Sequence, residues 1–389
     1  MKKLIVFWIT ILFLMTGCGE EKRANSDELI KIDVTKSYPA KKEIILQDLM
    51  DVEYIALETN DEFVHQGRVL DIGKELIVVI NNNQDGDIFV YDRNGKALRK
   101  INRRGQGNEE YTNIYKIILD EDNEEMFVND ISKKKFFVYD LYGNFKRSLT
   151  HKEGSGSMFY TDVFNYDRDN LICYDVYNEE IFFVLVSKQD GSITKDIIMP
   201  FTEKKQLRAT KTDGQSRYII SPGPHRPIIP FNGNWLLLEF SCDTVYTILP
   251  DNSLLPFMVR TPPIQSMDPE VMFILRLMSD RYYFMEAVEN KYNFETNDGF
   301  STTFFMYDNK EKEFSGYTMY NGDFSNKNEV YMSRLRPVSH EIESWQTFEA
   351  HQLVESLEKG ELKDGKLKDI AAKLDEDSNV VIMLVKHKK

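Results

Sequence analysis

Three cysteines in 389 residues are too few for a disulfide-dense scaffold, so the chain must rely on an apolar core. Basic charge is scarce too: 49 Lys and Arg stand against 63 Asp and Glu, a net charge of −14. A nucleic-acid binder needs a basic footprint to displace phosphate counterions, and this balance excludes that partner class. Long apolar runs are missing except for Leu4 to Met15, which is too short for a comfortable membrane span. The six histidines show no paired zinc-motif spacing, and no G-x-S-x-G or other signal nominates a nucleophile. What is present is a 42% hydrophobic and 12% aromatic composition, ample for a core, so wholesale disorder is excluded.

The first residues read as an address. Met1-Lys2-Lys3 is a short basic start, the run Leu4 to Met15 follows, and Met15-Thr16-Gly17-Cys18 closes it. A basic stretch, a short apolar stretch and small residues before a cysteine form the pattern of a cleaved export signal. The expectation is a signal peptide over 1–17, with acylation of Cys18 implied by the resemblance of Met15–Cys18 to the lipobox of bacterial lipoproteins, and a flexible polar tether over 18–40 leading into a single domain over 41–389. Cys173 and Cys242 remain in an oxidising compartment. A buried free thiol is the expected state of each, and a disulfide between them the alternative.

Beyond the tether, short runs rich in Val, Ile, Phe and Tyr alternate with turn residues, an all-β signature. Phe89-Val90-Tyr91-Asp92 recurs as Phe137-Val138-Tyr139-Asp140, 48 residues later. Over positions 89–100 and 137–148, six residues are identical: these four, Gly95/Gly143 and Arg99/Arg147. Gly191 lies another 48 residues on. Each glycine follows a strand where a hairpin requires positive φ. Four strands per unit of this length make a β-propeller blade.

Later units keep the pattern with insertions. The excess between Tyr139 and Tyr246 is assigned to the loop Pro222–Pro227. That between Tyr246 and Tyr307 is assigned to a short helix near 269–279, since Asp268-Pro269 resembles a helix start. Five blades fit between about 66 and 320. The sixth is assembled from Val52–Leu57 near the N-terminus and Val380–Val385 near the C-terminus. Between Val330-Tyr331-Met332 and that last strand, a C-terminal helical segment is expected. It draws on Ile342, Trp345 and Phe348, and then on Leu367, Ile370, Ala371 and Leu374. Pairing strands from both ends of the chain closes the ring and removes a hazardous sheet edge. The fold class is therefore an all-β, six-bladed propeller.

Several stretches resemble the six-bladed β-propeller lipoproteins of Bacteroidetes, which are similar to NHL-repeat propellers. They are the Met15–Cys18 lipobox, Val52-Glu53-Tyr54-Ile55-Ala56-Leu57-Glu58-Thr59, Arg104-Gly105-Gln106-Gly107-Asn108-Glu109-Glu110-Tyr111, and the closing segment Asp375–Lys389. The resemblance implies export and a lipid anchor in the bacterial outer membrane, periplasmic or surface-exposed. It implies little about activity.

Binding candidates follow from position. Arg103 and Arg104 stand out in an acidic chain on a loop between blades, where they can clamp a carboxylate or sulfate. The bland alternative is an ion pair with Glu109 or Glu110. His225 and Arg226 occupy the comparable place in the Pro-rich insertion, and Tyr111 and Tyr160 are candidates for stacking on a sugar. Gly105-Gln106-Gly107 lacks the following helix of a phosphate loop. Asp120–Glu124 lacks the glycine and spaced glutamate of a calcium loop and reads as a turn in blade two. No cofactor is expected, although an axial metal gathered from distant blades stays open. The functional expectation is a non-enzymatic binding or scaffold module for a glycan, peptide or envelope protein at the channel mouth. The alternative is a propeller lyase or hydrolase with its site at the central channel.

Overall fold

The computed structural model describes residues 29–39, 42–65, 67–151, 159–223, 225–338 and 343–388. The expected signal peptide, Cys18 and the tether up to residue 28 lie outside these residues, as does Ile342. Six sheets make six blades around an axis. Blade one holds strands Arg68–Ile72, Leu76–Ile80, Asp87–Asp92 and Ala97–Asn102, in that order from the axis outward. Blade two begins at Lys116–Asp120, blade three at Tyr160–Asn165, blade four at Ile228–Phe231, blade five at Val271–Met278 and blade six at Arg336–Pro337.

The repeat identities have separate physical jobs. Phe89, Val90, Phe137 and Val138 are buried in the third strand of their blades. The Tyr139 hydroxyl donates to the Glu109 carbonyl at 2.7 Å, and the Tyr91 hydroxyl meets His65 Nε2 at 2.7 Å. Asp92 accepts from the Asn94 and Lys96 amides, and Asp140 from the Tyr142 and Asn144 amides, which closes each turn. Gly95 has φ +84°, and a Cβ there would lie 2.2 Å from the Ala56 carbonyl oxygen of blade six, so only glycine fits. Arg99 reaches into blade two to donate to the Leu141 carbonyl at 2.8 Å. One unit later, Arg147 reaches into blade three to donate to the Lys188 carbonyl at 3.0 Å. The repeat thus encodes the joint between blades as well as the blade itself.

Every seam is filled by a separate apolar cluster. That between blades one and two joins Val78, Ile80 and Val90 to Ile117, Met126 and Tyr139. Because both faces of a middle strand meet such a cluster, Leu76–Ile80 is buried at all five positions and reads as an unbroken apolar run. The ring closes in blade six, where Met50–Ala56 pairs antiparallel with Val381–His387 from Met50↔His387 to Ala56↔Val381.

Four local expectations are corrected. Val271–Met278 is the inner strand of blade five, not a helix; buried on both faces, it has an apolar run that fits either state. The extra residues of that unit form instead the small hairpin Tyr292–Asn293/Asp298–Gly299. Those between blades three and four include the hairpin Ala209–Asp213/Ser216–Ile220, upstream of the expected loop. Trp345 and Phe348 lie on the strand Glu343–Phe348, while helices cover Ala350–Glu358 and Lys366–Ala371. Within the expected tether, Ile30–Asp33 runs parallel to Met258–Thr261 as a fifth, outermost strand of blade four. Lys42–Ile45 does the same for blade five.

Burial holds described histidines neutral, His65, pushed down to about 4 by desolvation, among them. His225 is pushed down to about 3 and His387 to about 4, in each case chiefly by desolvation. Their folded values lie below the unfolded value of about 6.5. Their contribution to stability is therefore complete above that pH and is lost as pH falls from about 6.5 toward 4. Each histidine should remove about 1.4 kcal/mol per pH unit within that window. Urea denaturation at pH 7, 6 and 5 is expected to show this decline, with a shallower slope for His387→Leu. An unchanged slope in that variant would refute the assignment.

Candidate functional site

The inner strands of the blades start near one mouth of the channel, and several start on a cation. Arg68 opens the inner strand of blade one, Lys116 that of blade two and Arg336 that of blade six, while Arg226 lies two residues before that of blade four. Together they border a cavity of about 540 Å³ at the axis, within the roughly 300–1,000 Å³ of small-molecule sites. Its charged lining is Arg68, Lys116, Lys204, Lys205, Arg208, Arg226 and Arg336 against Asp71, Asp162 and Glu239. In a chain of net charge −14, this mouth carries the opposite sign.

Some of these charges are already satisfied. Lys116 Nζ lies 2.6 Å from Asp162 and 4.2 Å from the centre of the Phe164 ring. Lys205 pairs with Glu203 and Glu270, and Lys204 Nζ donates to the Val176 and Asn178 carbonyls. The Tyr174 hydroxyl donates to Glu239 at 2.5 Å, and burial raises that carboxyl above the ordinary range. Asp71, deeper in the channel, accepts from the Leu119 amide at 2.8 Å and is pushed up to about 6 by burial.

Among the described residues, Arg68, Arg226 and Arg336 make no ion pair with a carboxylate. Arg68 donates to the Asn83 side-chain oxygen, and Arg336 lies 5.2 Å above the Trp345 ring. Arg226, 8% exposed, donates from Nη2 to the Ser333 carbonyl at 3.1 Å, and its buried Nη1 has no partner. Burial, with Arg276 and Arg336 nearby, pushes the Arg226 guanidinium down to about 9. Burial and Arg68 lower that of Arg336 as well. A buried guanidinium facing other guanidinia, with a donor unused, is a costly arrangement that an anion would relieve.

A second cavity of about 500 Å³ adjoins the first and shares Arg68, Arg226, Arg336 and Trp345 with it. Its far wall is polar, with Gln346, Thr347, Gln352 and Ser356 from blade six and the helix Ala350–Glu358. The arginines form a ridge between a wall with Phe164, Tyr174 and Phe240 on one side and this polar wall on the other. A third hollow, sharing Tyr115, Thr161 and Tyr177 with the first, carries Asp175, Glu179 and Glu180, so the basic character is local to the ridge.

Of the residues singled out from sequence, the structure brings His225 and Arg226 to this cavity and leaves four elsewhere. Arg103 donates from Nε to the Gly143 carbonyl at 2.8 Å, at the seam of blades one and two, in place of an ion pair with Glu109 or Glu110. Arg104 bridges to Tyr111 beside it, and neither arginine borders the channel. Tyr111 is fully buried; its hydroxyl donates to the Gly86 carbonyl and accepts from the Arg103 amide, so it has no free face for a sugar. Tyr160 is also fully buried, stacked on Phe136 at 5.9 Å. His225 stacks on Phe240 at 4.0 Å, and its Nε2 meets the Leu238 carbonyl at 2.9 Å. Arg68, Lys116 and Arg336 escaped the sequence reading, although Arg68 and Lys116 lie 48 residues apart, one repeat, at the same register.

Cys173 and Cys242 are buried free thiols, raised by desolvation and thus poor nucleophiles. Among the described residues, no three His, Cys, Asp or Glu side chains cluster to hold a metal ion, and no helix is long and apolar enough to cross a membrane.

A family model described as a domain of unknown function, DUF4934, matches residues 29–386. No curated protein matches the chain. Among solved structures it is similar to a Bacteroides fragilis protein described as exported, at 13% identity and TM-score 0.62, over 93% of this chain and 100% of that one. A Bacteroides vulgatus member of the DUF4221 family aligns at 10% identity and TM-score 0.49, over 88% of this chain and 99% of that one.

Proposed function

The chain belongs to the DUF4934 family, and from that premise we propose that it is a non-enzymatic binding module of the cell envelope. In this reading it is exported, anchored through acylated Cys18 to the outer membrane, and receives part of a glycan, peptide or partner protein at the basic mouth of its channel. The observation that carries the reading is the buried, half-unpaired Arg226 in a cavity large enough for a small ligand. A residue kept only for packing would not need a charge there.

Arrays of glycans and peptides, probed with wild-type protein and with Arg336→Ala, test this. Wild-type protein should retain a defined subset, and the variant should hold it roughly tenfold less well or worse. Equal retention by both proteins, or retention of nothing, would remove the channel from consideration. Release of a chemically altered product would establish the enzyme instead.

A further inference from the structure

Resting on that reading, we infer that the channel site takes a small polyhydroxylated anion, a sugar acid or sugar sulfate, with its charge seated on the Arg68–Arg226–Arg336 ridge and its hydroxyls turned to either side. The anion is required by the ridge. Three guanidinia converge at the wall between two adjoining cavities; among the described residues none pairs with a carboxylate, and the buried Arg226 Nη1 has no hydrogen-bond partner. A carboxylate or sulfate presents several acceptor oxygens and can engage two guanidinium forks at once, which a neutral hydroxyl cannot.

The hydroxyls are required by two orphaned acceptors, one in each cavity. His225 Nε2 must carry its proton, because it meets a carbonyl oxygen at 2.9 Å. The neutral ring therefore presents Nδ1 as a bare acceptor, buried and without a donor, at the wall of the first cavity. Gln346 borders the second cavity, and its buried Oε1 likewise lacks a donor. Sulfate carries no hydroxyl and fills neither need, phosphate is too small to reach both acceptors across the ridge, and a simple fatty or aromatic acid has no hydroxyl to offer. A sugar ring with one acidic substituent supplies the charge and the donors on opposite sides of one compact body. The Phe240 and Trp345 rings give the first cavity apolar surface for the C–H faces of such a ring.

Calorimetry and thermal melting at pH 7 and matched ionic strength distinguish the possibilities, with D-glucuronate, D-glucose 6-sulfate, D-glucose and sodium sulfate as probes. Glucuronate or glucose 6-sulfate should bind and raise the melting temperature, with glucose and sulfate each weaker by about tenfold or more. Arg226→Met should weaken the acidic sugar by about 30-fold or more, the range for truncating a buried charged contact. Arg336→Gln is the second variant and should act in the same direction. Because Arg226→Met removes a buried unpaired charge, its ligand-free melting temperature should hold or rise, which a purely structural arginine would not show. Glucose binding as well as glucuronate would overturn the charge assignment and leave a channel binder standing. Sulfate acting as well as the acidic sugars would overturn the hydroxyl assignment. Failure of all four probes would overturn the sugar-anion inference, and the array experiment alone then decides whether the channel binds anything.

Discussion

Asn379→Leu is expected to lower the unfolding free energy by about 3–5 kcal/mol, more than any surface substitution in the chain. Asn379 is 1% exposed and sits just before the last strand. Its Nδ2 donates to the Glu58 carbonyl at 2.9 Å and the Phe63 carbonyl at 2.7 Å, and its Oδ1 accepts from the His65 amide at 3.1 Å. Its own amide donates to Thr59 Oγ1 at 2.8 Å. One side chain therefore satisfies three backbone groups on the segment that leads from the outer strand of blade six into blade one. Leucine keeps similar volume but leaves the buried Phe63 carbonyl and the half-buried His65 amide without partners, while the Glu58 carbonyl keeps the Tyr91 hydroxyl. Urea titration of wild type and variant measures the difference. A loss under about 1 kcal/mol would mean that water or a rearranged loop replaces the network.

Lys188→Met should cost a comparable amount for a different reason. Lys188 Nζ lies 2.7 Å from Asp120, and the two side chains are 5% and 2% exposed. The pair joins blades two and three, and the Lys188 carbonyl also accepts from Arg147 of blade two. Removing the cation strands a buried carboxylate, which costs about 3–5 kcal/mol. Removing both charges, in Lys188→Met with Asp120→Leu, should recover most of that loss, because an apolar pair carries no desolvation penalty. The exposed pair Lys74–Asp122, at 2.7 Å but with side chains 52% and 67% exposed, is the control. Lys74→Met should change stability by less than about 1 kcal/mol. Additive single and double variants at 120 and 188 would dismiss the coupling.

The fold was legible because a propeller repeats its physics. The Tyr-Asp-Gly turn and the inter-blade arginine need the same residue types wherever they recur, so blades one and two announce each other at a spacing of 48. Blade six was legible from the hazard of an open sheet edge. Val271–Met278 was misread because a strand buried on both faces loses its alternation, and with it the signal that separates strand from helix. Ile30–Asp33 escaped because its apolar-polar alternation spans only Ile30 to Val34 and follows a polar stretch, although Ile32 is fully buried in the seam of blades four and five. The candidate cavity was legible only where an insertion drew attention to it, at His225 and Arg226. Arg103 and Arg104 attracted notice by clustering along the chain, whereas the basic cluster at the channel is spatial and its members come one from each of several blades. Arg68, Lys116 and Arg336 look like ordinary surface cations until the inner strands are superposed.

Pairing Met50–Ala56 with Val381–His387 also sets an order in time. A chain made from its N-terminus holds its first blade-six strand ready while nearly everything else is still to come. Until the last seven-residue strand arrives, the growing ring is an arc with two bare ends. One of them, the face of blade one carrying Ile77, Val79 and Phe89, is the surface that blade six will cover. Contacts this distant along the chain form late and slowly, and the exposed faces invite association with other chains meanwhile. Truncation by a few residues at that end would be felt across the whole ring, whereas loss of a single surface hairpin would not.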